Sequence, residues 1–237
     1  MSEIPKESQD SDDEVVAVST APKATVDATT DATPADLTAK LNRKKWMIFL
    51  VVGFLSMFAD QATKIWARAE LPTQHNVPGV TCVIPEDIVT HACGGVPTTV
   101  IDGFWYHRLS MNPGSAFGLF SSQGSARIFL SIVGIIAVFG MVWMLKKART
   151  DQRVLHWALG FVVGGAVGNL IDRIYYGVVT DFVLWKYKTH EWPVFNIADV
   201  VLVVGVGLMF IDIQKEGRRE KAERKRKVEA AGLVKKL

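Results

Sequence analysis

Phe195-Asn-Ile-Ala-Asp-Val-Val-Leu-Val-Val-Gly-Val-Gly-Leu-Met-Phe-Ile-Asp-Ile213 decides how this chain is read. It approaches the roughly 20 apolar residues that a membrane-spanning helix needs. It lacks the polar stripe by which an amphipathic helix of a soluble bundle faces water. Yet an aspartate, Asp199, stands in its first turn. A carboxylate in or beside hydrocarbon is costly and is a functional-site hypothesis by default. A second, Asp181, sits just upstream in Val179-Thr-Asp-Phe182. The two fall at the same end of neighbouring apolar segments. Two carboxyls brought together can share a proton and activate water, the chemistry of aspartic proteases.

Three more apolar segments precede this one, at about Trp46–Trp66, Ile128–Leu145 and Val154–Tyr176. With 49% hydrophobic residues and a mean hydropathy of +0.20, the chain suits a small membrane protein with polar tails better than a soluble bundle. The expected fold class is an all-α membrane protein. It has four transmembrane helices and a small extracytoplasmic β-rich element. The connection 70–126 is too long for a turn. It carries β-prone stretches at Val80–Ile84 and Thr98–Leu109, broken by Pro78-Gly79 and Gly94-Gly95.

Charge placement orients the helices. Arg43, Lys44 and Lys45 precede the first. Lys146, Lys147, Arg149 and Arg153 lie between the second and third, and a basic run from Lys215 to Lys227 follows the fourth. Connections 70–126 and 177–194 hold only Arg108, Lys186 and Lys188 among basic residues. The positive-inside rule then puts both termini in the cytoplasm and Asp181 and Asp199 at the outer face. The basic run reads as a topology anchor near anionic lipid rather than a nucleic-acid patch. Residues 1–42, rich in Ala, Thr, Asp and Pro, read as a disordered extension, 43–213 as the membrane domain, and 214–237 as a basic tail. Cys82 and Cys93 in the outer connection form a possible disulfide. His75 and His91 lie near them, but the spacing matches no common zinc pattern, and no metal or cofactor is expected.

The third segment places Gly160, Gly164 and Gly168 on one stripe for close helix contact, with Gly165, Asn169 and Asp172 on an adjacent face. Asp60 and Lys64 are four apart on the first helix, so they share a face and their pairing reduces the burial cost. Lys64 as general base for a serine is the alternative, but no serine is placed as its partner. Asn112-Pro-Gly114 is a turn, in which Asn112 either holds the backbone or binds substrate. Asp172 rivals Asp181 on chemistry alone. Pro193 and Asn196 suit a helix start. The helix dipole favours negative charge at Asp199, which pushes a nearby carboxyl toward its neutral form.

Five strings occur in order: Asp60-Gln-Ala-Thr-Lys64, Asn112-Pro-Gly-Ser-Ala-Phe-Gly118, Gly164-Gly-Ala-Val-Gly-Asn-Leu-Ile-Asp-Arg173, Val179-Thr-Asp-Phe182 and Phe195-Asn-Ile-Ala-Asp199. Together they resemble the lipoprotein signal peptidase family, signal peptidase II, over roughly 45–213. The resemblance implies an aspartic endopeptidase of the bacterial inner membrane. Such an enzyme cleaves prolipoproteins on the amino side of a diacylglyceryl-modified cysteine. It implies Asp181 and Asp199 as the catalytic pair, supported by Asp60, Lys64, Asn112, Gly114, Asn169, Asp172, Arg173 and Asn196. It also implies inhibition by globomycin-type cyclic peptides; a monomer with no nucleic-acid partner is expected. The two tails and the long outer connection depart from the family pattern. A proton- or cation-coupled transporter is the main rival, but it calls for acidic groups near the midplane, and an internal repeat is not evident. A non-catalytic lipid-binding or assembly protein is the other.

Overall fold

The computed structural model describes residues 33–73, 94–114 and 123–234. The Cys82–Cys93 pairing, the two histidines and the stretch Val80–Ile84 lie outside the described residues. The order of elements is α1 (Pro34–Glu70), β1 (Thr98–Ile101), β2 (Trp105–Asn112), α2 (Gln123–Lys147), α3 (Arg153–Tyr175), β3 (Val179–Tyr187), β4 (His190–Glu191) and α4 (Ile197–Val234). All four helices are long and apolar enough to cross a membrane.

α1 and α4 run beyond the apolar segments. α1 begins at Pro34, inside the stretch expected to be irregular, because Thr33 caps it: its Oγ1 accepts from the Asp36 amide at 3.2 Å. Proline at the first helical position and an acidic first turn complete a helix start. α4 carries the basic run in helical form, held by exposed pairs such as Arg219–Glu223.

Small residues build the bundle. A side chain at Gly160 would meet Val52 and the Phe49 carbonyl, and one at Gly164 would meet the Gly53 carbonyl and Ser56, all on α1. A Cβ at Gly165 would meet the Ala198 carbonyl at 2.6 Å, on α4. The two faces of α3 are thus flush against two helices, which is how backbones approach closely in lipid. α2 joins more loosely. Its Arg127 donates to the carbonyls of Arg173 and Ile174 at 2.8 and 3.0 Å, closing the end of α3.

The four strands form an antiparallel sheet in the order β1-β2-β3-β4. The connection 177–194 contributes β3 and β4. The sheet seats on the end of α1 through Ala67, Leu71, Leu109, Phe182 and Val183. A second apolar cluster, Phe49, Leu145, Ala148, Leu155 and Leu159, closes the other end of the bundle.

Candidate active site

Three local events bring the polar residues together. The β2–β3 register pairs Asn112 with Val179 and Ser110 with Asp181. Asn112 and Asp181 are therefore diagonal neighbours across the strand pair, and Asn112 Nδ2 donates to Asp181 Oδ2 at 3.0 Å. Asn112 Oδ1 accepts from the Gly114 amide at 2.8 Å, and Gly114 sits at φ 92°, so the glycine is needed to close this turn. Asn112 thus holds the turn and Asp181 at once.

The second event is the joint between β3 and α4. Phe195 exchanges backbone hydrogen bonds with Val183 at 2.8 and 3.0 Å, which delivers the chain from the strand straight to the helix start. The third is the helix start itself. Asn196 Oδ1 accepts from the Asp199 amide at 3.1 Å, while Asp199 Oδ2 accepts from the Asn196 amide at 3.2 Å. This is a reciprocal capping box with Asp in the usual Glu position.

Asn196 has no exposed surface, and its side-chain amide is shared. Nδ2 donates to Asp181 Oδ1 at 2.7 Å and to Asn169 Oδ1 at 3.1 Å. Asn169 Nδ2 donates to Asp199 Oδ1 at 3.1 Å. Each carboxyl is therefore held by an asparagine amide, and the two asparagines bond each other. Lys64 Nζ donates to Asn169 Oδ1 at 2.8 Å. That bond leaves the Asn169 NH2 group free to face Asp199, since only the oxygen can accept from both Lys64 and Asn196.

Below this layer lies an ion cluster without solvent contact. Lys64 Nζ is 2.9 Å from Asp60 and 3.6 Å from Asp172, and all three side chains are fully buried. Asp60 Oδ1 accepts from the Ala198 amide at 2.9 Å, filling one of the open donors of the α4 start. Asp172 Oδ2 accepts from the Thr180 amide at 2.8 Å, one residue from Asp181. Asp172 thus faces inward as a structural acceptor, whereas Arg173, its chain neighbour, is half-buried and donates to the Asn169 carbonyl at 3.4 Å. Arg173 lies within electrostatic reach of Asp199, Asp181 and Asp172.

Several partners were not singled out from sequence. Gln61 Nε2 ties Asp60, the Gly168 carbonyl and Asp172 together at 3.0 to 3.3 Å. Arg68 stacks 4.2 Å over the Tyr176 ring and donates to Thr180 Oγ1 at 2.6 Å. Their helical spacing from Asp60 and Lys64 was a signal, since residues 60, 61, 64 and 68 line neighbouring turns of one face.

Asp181 is 2% exposed, and burial pushes its carboxyl up to about 7; the charge of Asp199 adds to the rise, and the Asn112 and Asn196 hydrogen bonds oppose it. Asp199 is only half-buried and lines an open apolar groove of about 320 Å³ with Trp185, Trp192, Phe195, Val200, Val203 and Val204.

Residues 52–215 match the family model described as Signal peptidase (SPase) II. The chain belongs to the signal peptidase II family. Lipoprotein signal peptidases of Geobacter metallireducens and Halalkalibacterium halodurans are each 33% identical to it over 178 residues. The match covers 75% of this chain and 97% and 99% of those proteins. A bacterial membrane enzyme solved by the in meso method at 2.3 Å is 26% identical, with a TM-score of 0.56 over 71% of this chain and 88% of that one. A second such structure, at 1.9 Å, is 25% identical with a TM-score of 0.54. The protein is thus a multi-pass membrane protease of this family. The five strings quoted above all begin inside the matched region.

Proposed function

We propose that Asp181 and Asp199 are the catalytic pair of this aspartic endopeptidase, with Asp181 as the acid and Asp199 as the base. The protein removes signal peptides from prolipoproteins, cleaving on the amino side of the diacylglyceryl-modified cysteine. The observation that carries the pair is Asn196, which bonds Asp181 through Nδ2 and Asp199 through the capping box. One buried residue thereby sets the relative position of both carboxyls.

The chemistry follows from the asymmetry of the two environments. Asp181, raised to about 7 by burial, holds its proton up to about neutral pH, where an ordinary carboxyl has long lost it, and so has one to give. Asp199 takes a proton from water as the water oxygen bonds to the scissile carbonyl carbon. Asp181 delivers its proton to the carbonyl oxygen. Collapse of the tetrahedral intermediate breaks the C–N bond, and the proton held by Asp199 passes to the leaving nitrogen. The hydroxyl proton of the new acid group returns to Asp181. Asn112 and Asn196 position Asp181; Asn169 positions Asp199. The Lys64–Asp60–Asp172 cluster fixes Asn169 and the α4 start, and Gly114 with Asn112 shapes the turn over the site. Arg173 offsets the summed negative charge.

The groove beside Asp199 suits an acyl chain of the substrate, its apolar wall running from Trp192 down to Val204. Each buried methylene contributes about 0.8 kcal/mol, so the diacylglyceryl group sets the depth of the scissile bond. Globomycin-type cyclic peptides occupy the same site. The basic residues Arg43, Lys44, Lys45, Lys146, Lys147 and Arg153 lie at the end opposite the pair. By the positive-inside rule this supports cytoplasmic termini and a pair at the outer face of the inner membrane. Residues 43–213 form the peptidase domain and the protein works as a monomer.

The test is cleavage of a lipidated prolipoprotein by purified Asp181→Asn and Asp199→Asn variants. Each should lose at least about a thousandfold in kcat, since a dyad fails when either role is empty, while keeping the wild-type unfolding midpoint. Turnover within tenfold of wild type by either folded variant would overturn the assignment.

A further inference from the structure

At the end of the bundle away from the catalytic pair, a cavity of about 350 Å³ opens between α1 and the α2–α3 connection. It is lined by Leu41, Lys44, Lys45, Ile48, Thr150, Asp151, Arg153 and His156. Lys45 is its anchor. The residue is 4% exposed, and among the described residues its ammonium finds only backbone oxygens, Ala148 at 3.0 Å and Lys146 at 3.5 Å. Those carbonyls end α2, so the lysine caps that helix. Capping uses two of its three donors and leaves its charge without a carboxylate. Lys44 and Arg153 line the same cavity and make no ion pair among the described residues.

The acidic group in the lining is already committed. Asp151 bonds Arg149 at 3.0 Å and Arg219 at 2.6 Å, and these hydrogen bonds, Arg149 first, hold its carboxyl well below the usual carboxylate range. Three cations therefore share one cavity, one of them buried, and the carboxylate in its lining is paired with Arg149 and Arg219. Thr150 adds a hydroxyl, while Leu41 and Ile48 add an apolar wall from α1. His156 forms the floor, its Nε2 at 3.0 Å from the Arg149 carbonyl.

We propose that this cavity is a binding site for a phosphate group of net negative charge, with no ammonium of its own to offset it, held by Lys44, Lys45 and Arg153. Phosphate is the class that matches a compact cluster of cations with a hydroxyl, and basic pockets between membrane helices take phospholipid headgroups in this way. The same chemistry is offered by an anionic lipid headgroup and by free phosphate. The site is independent of the dyad, and its failure would leave the protease assignment standing.

The full chain in a neutral detergent should be titrated with short-chain phosphatidylglycerol, short-chain phosphatidylcholine and inorganic phosphate, reading the thermal unfolding midpoint and, by native mass spectrometry, the lipids retained. Phosphatidylglycerol should raise the midpoint and leave one lipid bound, and phosphatidylcholine should do neither. Lys44→Gln/Arg153→Gln, both at exposed positions, should weaken the apparent affinity about tenfold or more. Lys44→Glu alone is the second variant and should weaken it too while adding no volume to the bundle. A shift produced equally by inorganic phosphate, and lost in the variants, supports the site with free phosphate as its ligand. Equal response to both lipids without any response to phosphate, or wild-type binding by both variants, overturns the proposal.

Discussion

α2 and α3 are of similar length and both cross the membrane, yet they are built on opposite plans. Half of the α3 span is buried within the protein, against 6% of the α2 span. α3 buries Gly160, Gly164, Gly165, Gly168, Asn169 and Asp172 alongside Leu155, Leu159 and Val162. α2 turns Ile128, Ile132, Ile136, Phe139 and Trp143 away from the protein. In water these two surfaces would be exchanged. In lipid the tails are as apolar as leucine, so no hydrophobic force gathers the large side chains inward. Much of the α3 interface is therefore given to groups that pack backbones together or that cannot face hydrocarbon. The proposed catalytic pair lies at the far end of that same polar interior.

The deepest way to break this contrast is to leave the buried cluster unpaired. Lys64→Met should cost about 3–5 kcal/mol, because it strands Asp60 and Asp172 without their shared cation. The variant should be recovered in low yield, with a lower unfolding midpoint in detergent. Wild-type stability would mean that Gln61, together with Arg68 at 3.6 Å from Asp172, suffices to hold both carboxyls. Gly164→Val comes next. Its Cβ would stand 2.6 Å from the Gly53 carbonyl and from Ser56, a backbone contact that yields only if α1 and α3 separate. Overpacking of this kind costs about 1–3 kcal/mol or more, and cleavage should fall with stability because Lys64 and Asn169 sit on the two helices being parted.

A pH profile sharpens the comparison within the site. The Asp181 carboxyl stands at about 7 in the folded protein against 3.8 unperturbed. A raised carboxyl binds its proton more tightly when folded. Its contribution to stability is therefore full below 3.8 and is lost as pH rises through about 7. Activity should decline over the same upper range, as the acid proton is lost. Asn112→Ala removes a hydrogen bond that favours the ionised form, so the declining limb should move to higher pH. A limb that stays in place would show that Asp181 is not the group it reports.

Much of this was legible beforehand because membrane helices announce themselves by local composition. The Asp199 helix start was legible for the same reason: Asn196 and Asp199 are three apart, and a capping box is a local pattern. β3 was not. Its first six residues, Val179 through Leu184, are all buried, so the alternation that marks a half-buried strand is missing. Its partner β2 is also far away in the chain. The placement of Asp172 as an acceptor for the Thr180 amide depended on that strand, which is why Asp172 and Asp181 looked equivalent on chemistry alone. The early start of α1 was readable in Thr33-Pro34-Ala-Asp36, but the surrounding Ala, Thr and Asp composition masked it.

The smallest effect belongs to the outward face of α2. Phe139 is 72% exposed to the surroundings of the protein. In a soluble core, Phe→Ala costs about 3–5 kcal/mol through lost burial and the cavity left behind. Neither loss applies to a ring that touches lipid in both the folded and the separated state. Phe139→Ala should therefore change the unfolding free energy in bicelles by no more than about 0.5 kcal/mol, as for other substitutions away from packed sites. It should also cleave lipidated prolipoprotein at the wild-type rate. A loss of 2 kcal/mol or more would mean that this face is covered in the membrane by something other than lipid. The contrast between α2 and α3 would then describe an incomplete assembly rather than two ways of living in a bilayer. The same measurement repeated at lower protein-to-lipid ratio separates the cases, because a covering partner copy dissociates on dilution and lipid does not.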